Sequence, residues 1–135
     1  MALWIQISSG SGQPIYTQVA EQISEAIAKS ELASGDKLPA VRKLAAELVI
    51  NPNTVARAYT RLEQAGLVIT KTGSGTFVSD PKLRKSDAAD IKVLTERMDN
   101  LITRGLNLGL EGQDLITMFK DRLTKFVKKQ MGKKK

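Results

Sequence analysis

One stretch constrains this chain more than any other: GDKLPAVRKLAAELVINPNTVARAYTRLEQAGLVITKTGSGTFV, from Gly35 to Val78. It opens as a loop. After Pro39, Val41, Leu44, Ala45 and Leu48 fall on one side of a helical pattern, with Arg42, Lys43 and Glu47 on the other. Asn51 suits an N-cap and Pro52 a first helical position. Val55, Ala58, Tyr59 and Leu62 then mark the buried face of a second helix, which Gly66 stops. Helices joined by so few residues must cross steeply. Leu67 to Thr70 and Thr76 to Ser79 are short β-branched runs around Lys71-Thr72-Gly73-Ser74-Gly75, whose alternate glycines permit a tight hairpin tip and close approach to a partner.

Loop, helix, turn, helix and hairpin in that order predict a mainly α fold with a small β wing: a winged helix-turn-helix domain over residues 1–80. Upstream, Leu3 to Ile7 is a β-prone run stopped by Ser8-Ser9-Gly10-Ser11-Gly12, with Trp4 expected to pack on the domain. Pro14 suits a helix first turn, and Ile15, Val19, Ile23, Ala26 and Ile27 line one face of a helix expected to end near Ser30. Asp80-Pro81-Lys82 begins a polar linker to about Asp87. Ala88, Ile91, Leu94, Met98, Leu101 and Ile102 mark a long amphipathic helix, expected to break over the three glycines between Gly105 and Gly112. Leu115, Ile116, Phe119, Leu123, Phe126 and Val127 mark a last helix before the terminal lysines. Residues 81–135 thus read as a linker and a two-helix hairpin with a basic C-terminus.

Composition narrows the chemistry. The 135 residues include 41% hydrophobic ones, enough for a packed core. With no cysteine and no histidine, disulfides, thiolate metal sites, the commonest general base and the commonest metal ligand are all missing. No apolar run approaches a membrane span and no leader pattern opens the chain. The expectation is a cytoplasmic protein that is not an enzyme, uses no metal or cofactor and has no membrane partner. Asp87 and Asp90 read as helix-start charges rather than as an acid/base pair. The net charge is +7, yet residues 1–80 hold 7 basic and 7 acidic residues, so the whole excess lies beyond them. Between Lys37 and Lys71, however, 6 basic residues face 2 acidic ones, and this local excess is the one that bears on phosphate contacts.

A recognition helix offers base edges its N-terminal residues, here Asn51, Asn53, Thr54 and Arg57. Asparagine pairs bidentately with adenine and arginine with guanine, while Thr54 can donate to a phosphate. Asn51 can act as a cap alone or also reach a base. Arg42 and Lys43 are either a solvated charged face or phosphate contacts beside the turn. Gly73, Ser74 and Gly75 form either a plain hairpin turn or, with Lys71, a contact to the minor groove or to phosphate. The expected partner is duplex DNA.

Several spaced motifs carry a resemblance: Pro14-Ile15-Tyr16-x-Gln18-Val19; Gly35-Asp36-Lys37-Leu38-Pro39-x-Val41-Arg42-x-Leu44-Ala45; Asn51-Pro52-Asn53-Thr54-Val55-x-Arg57-Ala58-Tyr59-x-x-Leu62-Glu63-x-x-Gly66; and Gly73-x-Gly75-Thr76-Phe77-Val78. Together they resemble the GntR-type bacterial transcription regulators over about half the chain. The Asn-Pro-Asn-Thr-Val-x-Arg-Ala-Tyr form and the short tail are similar to the YtrA-like subgroup. The resemblance implies base and phosphate contacts from Arg42, Asn53, Thr54 and Arg57, and a minor-groove approach by Gly73 and Gly75. Ala40 stands where serine is common in the family, and Ser30 and Ser34 where glycine and proline are. Pro52 and Ala56 replace residues whose side chains contact DNA in some branches, which bears on base preference.

The tail is too short to enclose a drug-sized pocket within one chain. Its two amphipathic helices call for cover, either from the DNA-binding domain or from a symmetric copy. Met98, Leu101, Phe119 and Phe126 are the candidate dimer-core residues, and Met98 and Met118 read as gap-filling core rather than as a ligand-adaptable surface. The expectation is a homodimeric repressor on an inverted-repeat operator, with half-sites about one helical turn, or a multiple, apart. The alternative is a winged module that binds protein, or coats DNA without sequence preference. Sequence leaves the operator, the regulated genes and any small-molecule effector unidentified.

Overall fold

The computed structural model describes residues 5–81, 84 and 87–133, with the side chains of the last helix as far as Phe126. Trp4 and the side chains of the C-terminal lysines therefore lie outside the described residues. The chain divides into two compact units, Met1–Arg84 and Lys85–Lys135. No helix is long and apolar enough, among the described residues, to cross a membrane.

In the first unit, α1 (Ile15–Ala28), α2 (Val41–Leu48) and α3 (Pro52–Gln64) precede an antiparallel hairpin of β1 (Val68–Lys71) and β2 (Gly75–Val78). Helix α3 packs against both α1 and α2. The core is drawn from the faces that the helical spacing marks: Val19 and Ile23 of α1, Leu44 and Ala45 of α2, Val55, Ala58 and Leu62 of α3. Val68 and Val78 close it from the hairpin. A fully buried Val, Leu or Ile side chain contributes about 1.5–3 kcal/mol relative to leaving it exposed.

Differences from expectation each have a physical cause. Pro14 is the N-cap of α1 rather than its first helical residue, and its carbonyl accepts from the N–H groups of Thr17 and Gln18. Ile5 to Ile7 form no strand. Instead Gln22 pairs with both backbone groups of Gln6, donating to its carbonyl at 2.8 Å and accepting from its N–H at 3.0 Å. Gln18, almost fully buried, accepts from Ser8 N–H at 2.8 Å and donates to Ser8 O, Ser11 Oγ and Gln13 O. Two glutamine side chains thus do what a neighbouring strand would have done. The hairpin strands are shifted too: Leu67 N–H is used by Leu62 O to close α3, so β1 starts at Val68 and gains Lys71, paired with Gly75.

The loop before α2 is also more ordered than its glycine and proline suggest. Leu38 N–H donates to Thr76 O and Gly35 N–H to Val78 O, which lays Gly35 to Leu38 along β2. Apart from glycines, positive φ falls among the described residues on Ser30 (+60°) and on Val49 (+55°). In the family that the sequence resembles, glycine is common at the first, for which this geometry supplies the reason. Val49 ends α2 and is 88% exposed; a β-branched residue there is strained by about 1–2 kcal/mol.

In the second unit, α4 (Ala88–Asn107) opens with a capping box between Asp87 and Asp90, the role in which the two acids read as helix-start charges. The helix ends within the expected Gly105–Gly112 stretch, two residues past Gly105, and Gly109, at φ +91°, makes the turn into α5 (Gly112–Lys133). Glycine in a helix costs about 1 kcal/mol against alanine. Here it admits Leu115 of α5: a Cβ on Gly105 would stand 2.5 Å from Leu115 Cδ2.

Tyr59 ties α3 to the approach to α2, its hydroxyl donating to Pro39 O at 2.7 Å. Tyr59→Phe leaves that carbonyl without its donor and is expected to lower unfolding free energy by about 1–2 kcal/mol in urea titrations at neutral pH. Burial, with the Glu47 carboxylate second, pushes the Tyr59 phenol well above its ordinary value. A raised acid contributes stability below that ordinary value, near 10, and loses it as pH rises further. Urea midpoints should therefore fall above about pH 10 in the native protein, and less so in Tyr59→Phe.

Candidate nucleic-acid interface

The start of α3 is held by its cap. Asn51 Oδ1 accepts from Asn53 N–H at 2.8 Å, and Asn51 O accepts from Thr54 N–H at 2.9 Å, with Pro52 at the first helical position. The cap therefore occupies the Asn51 side-chain oxygen, leaving the amide nitrogen as its outward donor. Asn53 is exposed and Thr54 half-buried on the same turn. Arg57 is exposed one turn further on.

Arg57 does not hang free. Its guanidinium carbon lies 3.9 Å from the centroid of the Tyr16 ring, at the start of α1. Arg61 approaches the same ring at 5.9 Å, and its Nη1 donates to Thr17 Oγ1 at 3.3 Å. A guanidinium stacked by its flat face keeps its N–H edge available for a carboxylate, phosphate or guanine. Tyr16 and Thr17 are the functional neighbours that sequence reasoning missed. Tyr16 lay within the motif Pro14-Ile15-Tyr16, but nothing in its spacing links it to a residue 41 positions later.

Arg42 and Lys43 are exposed on the first turn of α2. At the hairpin, Ser74 N–H donates to Lys71 O at 2.9 Å, closing a turn whose third residue, Gly73, has φ +83°. That is the left-handed value for which such a turn selects glycine. Gly75 follows at φ +126°, and Lys71 Nζ lies 5.1 Å from the Phe77 ring centroid. Because α2 and β1 both pack on α3, the two helix starts and the hairpin belong to one body. Among the described residues, the cations between Lys37 and Lys71 have no carboxylate partner, unlike Lys29, which pairs with Glu25 at 3.0 Å. At the base of the hairpin, Arg84 donates to Ser79 O at 3.0 Å and to Ser79 Oγ at 3.2 Å. Burial lowers the pKa of the Arg84 guanidinium and Asp80 opposes the shift.

The tail residues named above are placed differently from a core. Met98 is 42% exposed, Leu101 68% and Phe119 58%, while Phe126 is half-buried. Met118 is likewise 53% exposed within the chain. Among α4 residues only Gly105 is buried.

Comparison with known proteins gives a consistent picture. The family model for bacterial regulatory proteins of the gntR family matches residues 15–78. The HTH-type transcriptional repressor YtrA of Bacillus subtilis is 36% identical over 117 residues, covering 87% of this chain and 90% of the relative. A transcriptional antiterminator from Listeria monocytogenes shares the fold at TM-score 0.80 and 27% identity, over 90% of this chain and 91% of that one. The DNA-binding domain of AraR, seen in complex with operator ORX1, matches at TM-score 0.52 and 27% identity, over 58% of this chain and 99% of that one.

The Tyr16–Arg57 stack is measurable without a ligand. A double-mutant cycle between Tyr16→Ala and Arg57→Ala in urea is expected to give a coupling of about 0.5–1 kcal/mol, retained when Tyr16 is replaced by Phe.

Proposed function

The chain belongs to the gntR family of bacterial regulatory proteins, and we propose that it is a homodimeric repressor that reads an inverted-repeat operator. The observation that carries the DNA reading is the set of exposed cations around the α3 start and the hairpin that have no carboxylate partner among the described residues. Such cations lose little on meeting phosphate, since no internal ion pair has to break. In this reading residues 1–80 are the DNA-binding domain. Arg42, Asn53, Thr54 and Arg57 contact bases and phosphates, with Lys43 and the Asn51 amide beside them. Lys71, Gly73, Ser74 and Gly75 approach the minor groove. The AraR domain bound to its operator supports this use of the fold, and the name of the YtrA relative supports repression.

Dimerisation is argued from the tail. A helix of 20 residues with one buried position has not found the cover its apolar side chains require. A second copy supplies an identical apolar face, and two-fold symmetry then matches two reading heads to two half-sites. Met98, Leu101, Phe119 and Phe126 are assigned to that interface, with residues 81–135 as linker and dimerisation tail. A regulator of this kind works in the cytoplasm, where the DNA is.

Selection from a random duplex pool should recover an inverted repeat, and on that duplex Arg42→Ala or Arg57→Ala should each weaken binding by about 1–3 kcal/mol. Unchanged affinity in both variants, or recovery of no preferred sequence, would sink the assignment. Sedimentation should show a dimer at micromolar concentration, and Leu101→Lys with Phe119→Lys should convert it to monomer. A native protein that sediments as a monomer refutes the dimer.

A further inference from the structure

The strip from Gly35 to Leu38 acts as a third strand beside β2. Val78 N–H donates to Asp36 O at 2.8 Å, Leu38 N–H to Thr76 O at 2.8 Å, and Lys37 stands opposite Phe77. Strand alternation then sorts the side chains. Leu38, Val68 and Val78 are buried in the core, whereas Lys37 is exposed. Phe77 stands opposite Ile69, and Lys71 opposite Gly75, so these positions share the outer face with Lys37.

From its place opposite Phe77, Lys37 runs towards the hairpin tip. A Cβ built on Gly75 would lie 2.7 Å from Lys37 Cε and 3.5 Å from Lys37 Nζ. The lysine stem therefore crosses the Gly75 backbone, where any other residue would push it aside. The turn itself, Thr72 to Ser74, carries no charge. Two ammonium groups serve it, Lys71 from β1 over the Phe77 ring and Lys37 from the strip before α2, and neither has a carboxylate partner among the described residues. A flexible stem ending in a point charge suits a phosphate oxygen better than a base edge, which needs a fixed pattern of donors.

We infer that Lys37 is a further DNA-backbone-binding residue of the wing, which pairs a phosphate beside the hairpin tip from a seat that Gly75 keeps open. This rests on the DNA-binding reading above. The contact is independent of sequence, so its loss weakens all duplexes alike.

The test measures binding of the selected duplex and of a scrambled duplex by fluorescence anisotropy over a salt series, with circular dichroism confirming the fold of each variant. Lys37→Met removes the charge and keeps most of the stem. It is expected to reduce the salt slope by about one per reading head, with the ratio between the two duplexes unchanged. A Lys37→Met slope equal to that of the native protein overturns the inference while leaving the parent reading intact. A native protein that binds neither duplex overturns both. A cycle tests the seat: Gly75→Ala should weaken binding more in the native background than in Lys37→Ala. The strain of alanine at φ +126° is common to both backgrounds and cancels. Equal losses in the two backgrounds refute the role given to Gly75.

Discussion

Helix α3 is gripped on one side by two helices at once, and most of the first unit follows from that grip. Val55 and Ala58 have no exposed surface, and Tyr59 and Leu62 have almost none, because α1 and α2 share the same face of α3. Alanine at 58, in the same buried cluster as Ala45 and Leu44, carries nothing beyond its Cβ and leaves room for a close approach of backbones. With that side committed, only the N-terminal turn and the outer side remain for a ligand. Asn53 and Arg57 are therefore exposed as a consequence of packing. The Tyr59 hydrogen bond to Pro39 extends the grip to the segment that feeds α2 and the hairpin.

The parts legible in the sequence are those fixed by neighbours a few residues away. The Asn51 cap, the Pro52 start and the Gly66 stop all depend on local backbone geometry, and all three stand where the pattern puts them. What escaped depends on side chains meeting across the fold. Ile5 to Ile7 have the composition of a strand, but among the described residues no strand pairs with them, and Gln22 supplies bonds to Gln6 instead. The break expected between Gly105 and Gly112 is there, but its place is set by Leu115, which packs where a Gly105 Cβ would stand, and α4 ends at Asn107. The same reason hides the ring under Arg57: Tyr16 and Arg57 meet only because α1 packs on α3. The start of α3 and the tip of the wing were readable as a candidate site, but the residues that orient their cations were not.

The two units dispose of their apolar surface in opposite ways. The first encloses a continuous core that reaches from α1 to the hairpin. The second spends most of α4 on residues exposed within the chain, Leu94, Leu101 and Leu106 among them. Composition does not separate these cases, since both units carry amphipathic helices of ordinary pattern. The difference lies in layering: three helices and a hairpin can surround a centre, and two helices cannot.

The Gln18 cluster bears on where the folded body begins. The family match starts at residue 15, at the first turn of α1. Yet Gln18 takes its partners from Ser8, Ser11 and Gln13, all upstream of that point. A fragment trimmed to the matched span would strip the Gln18 carboxamide of all four of these bonds and of the segment that covers it, a net loss of about 0.5–1.5 kcal/mol for each bond. Excision for separate study should therefore follow the polar stitching rather than the region of similarity, and start no later than Ile5.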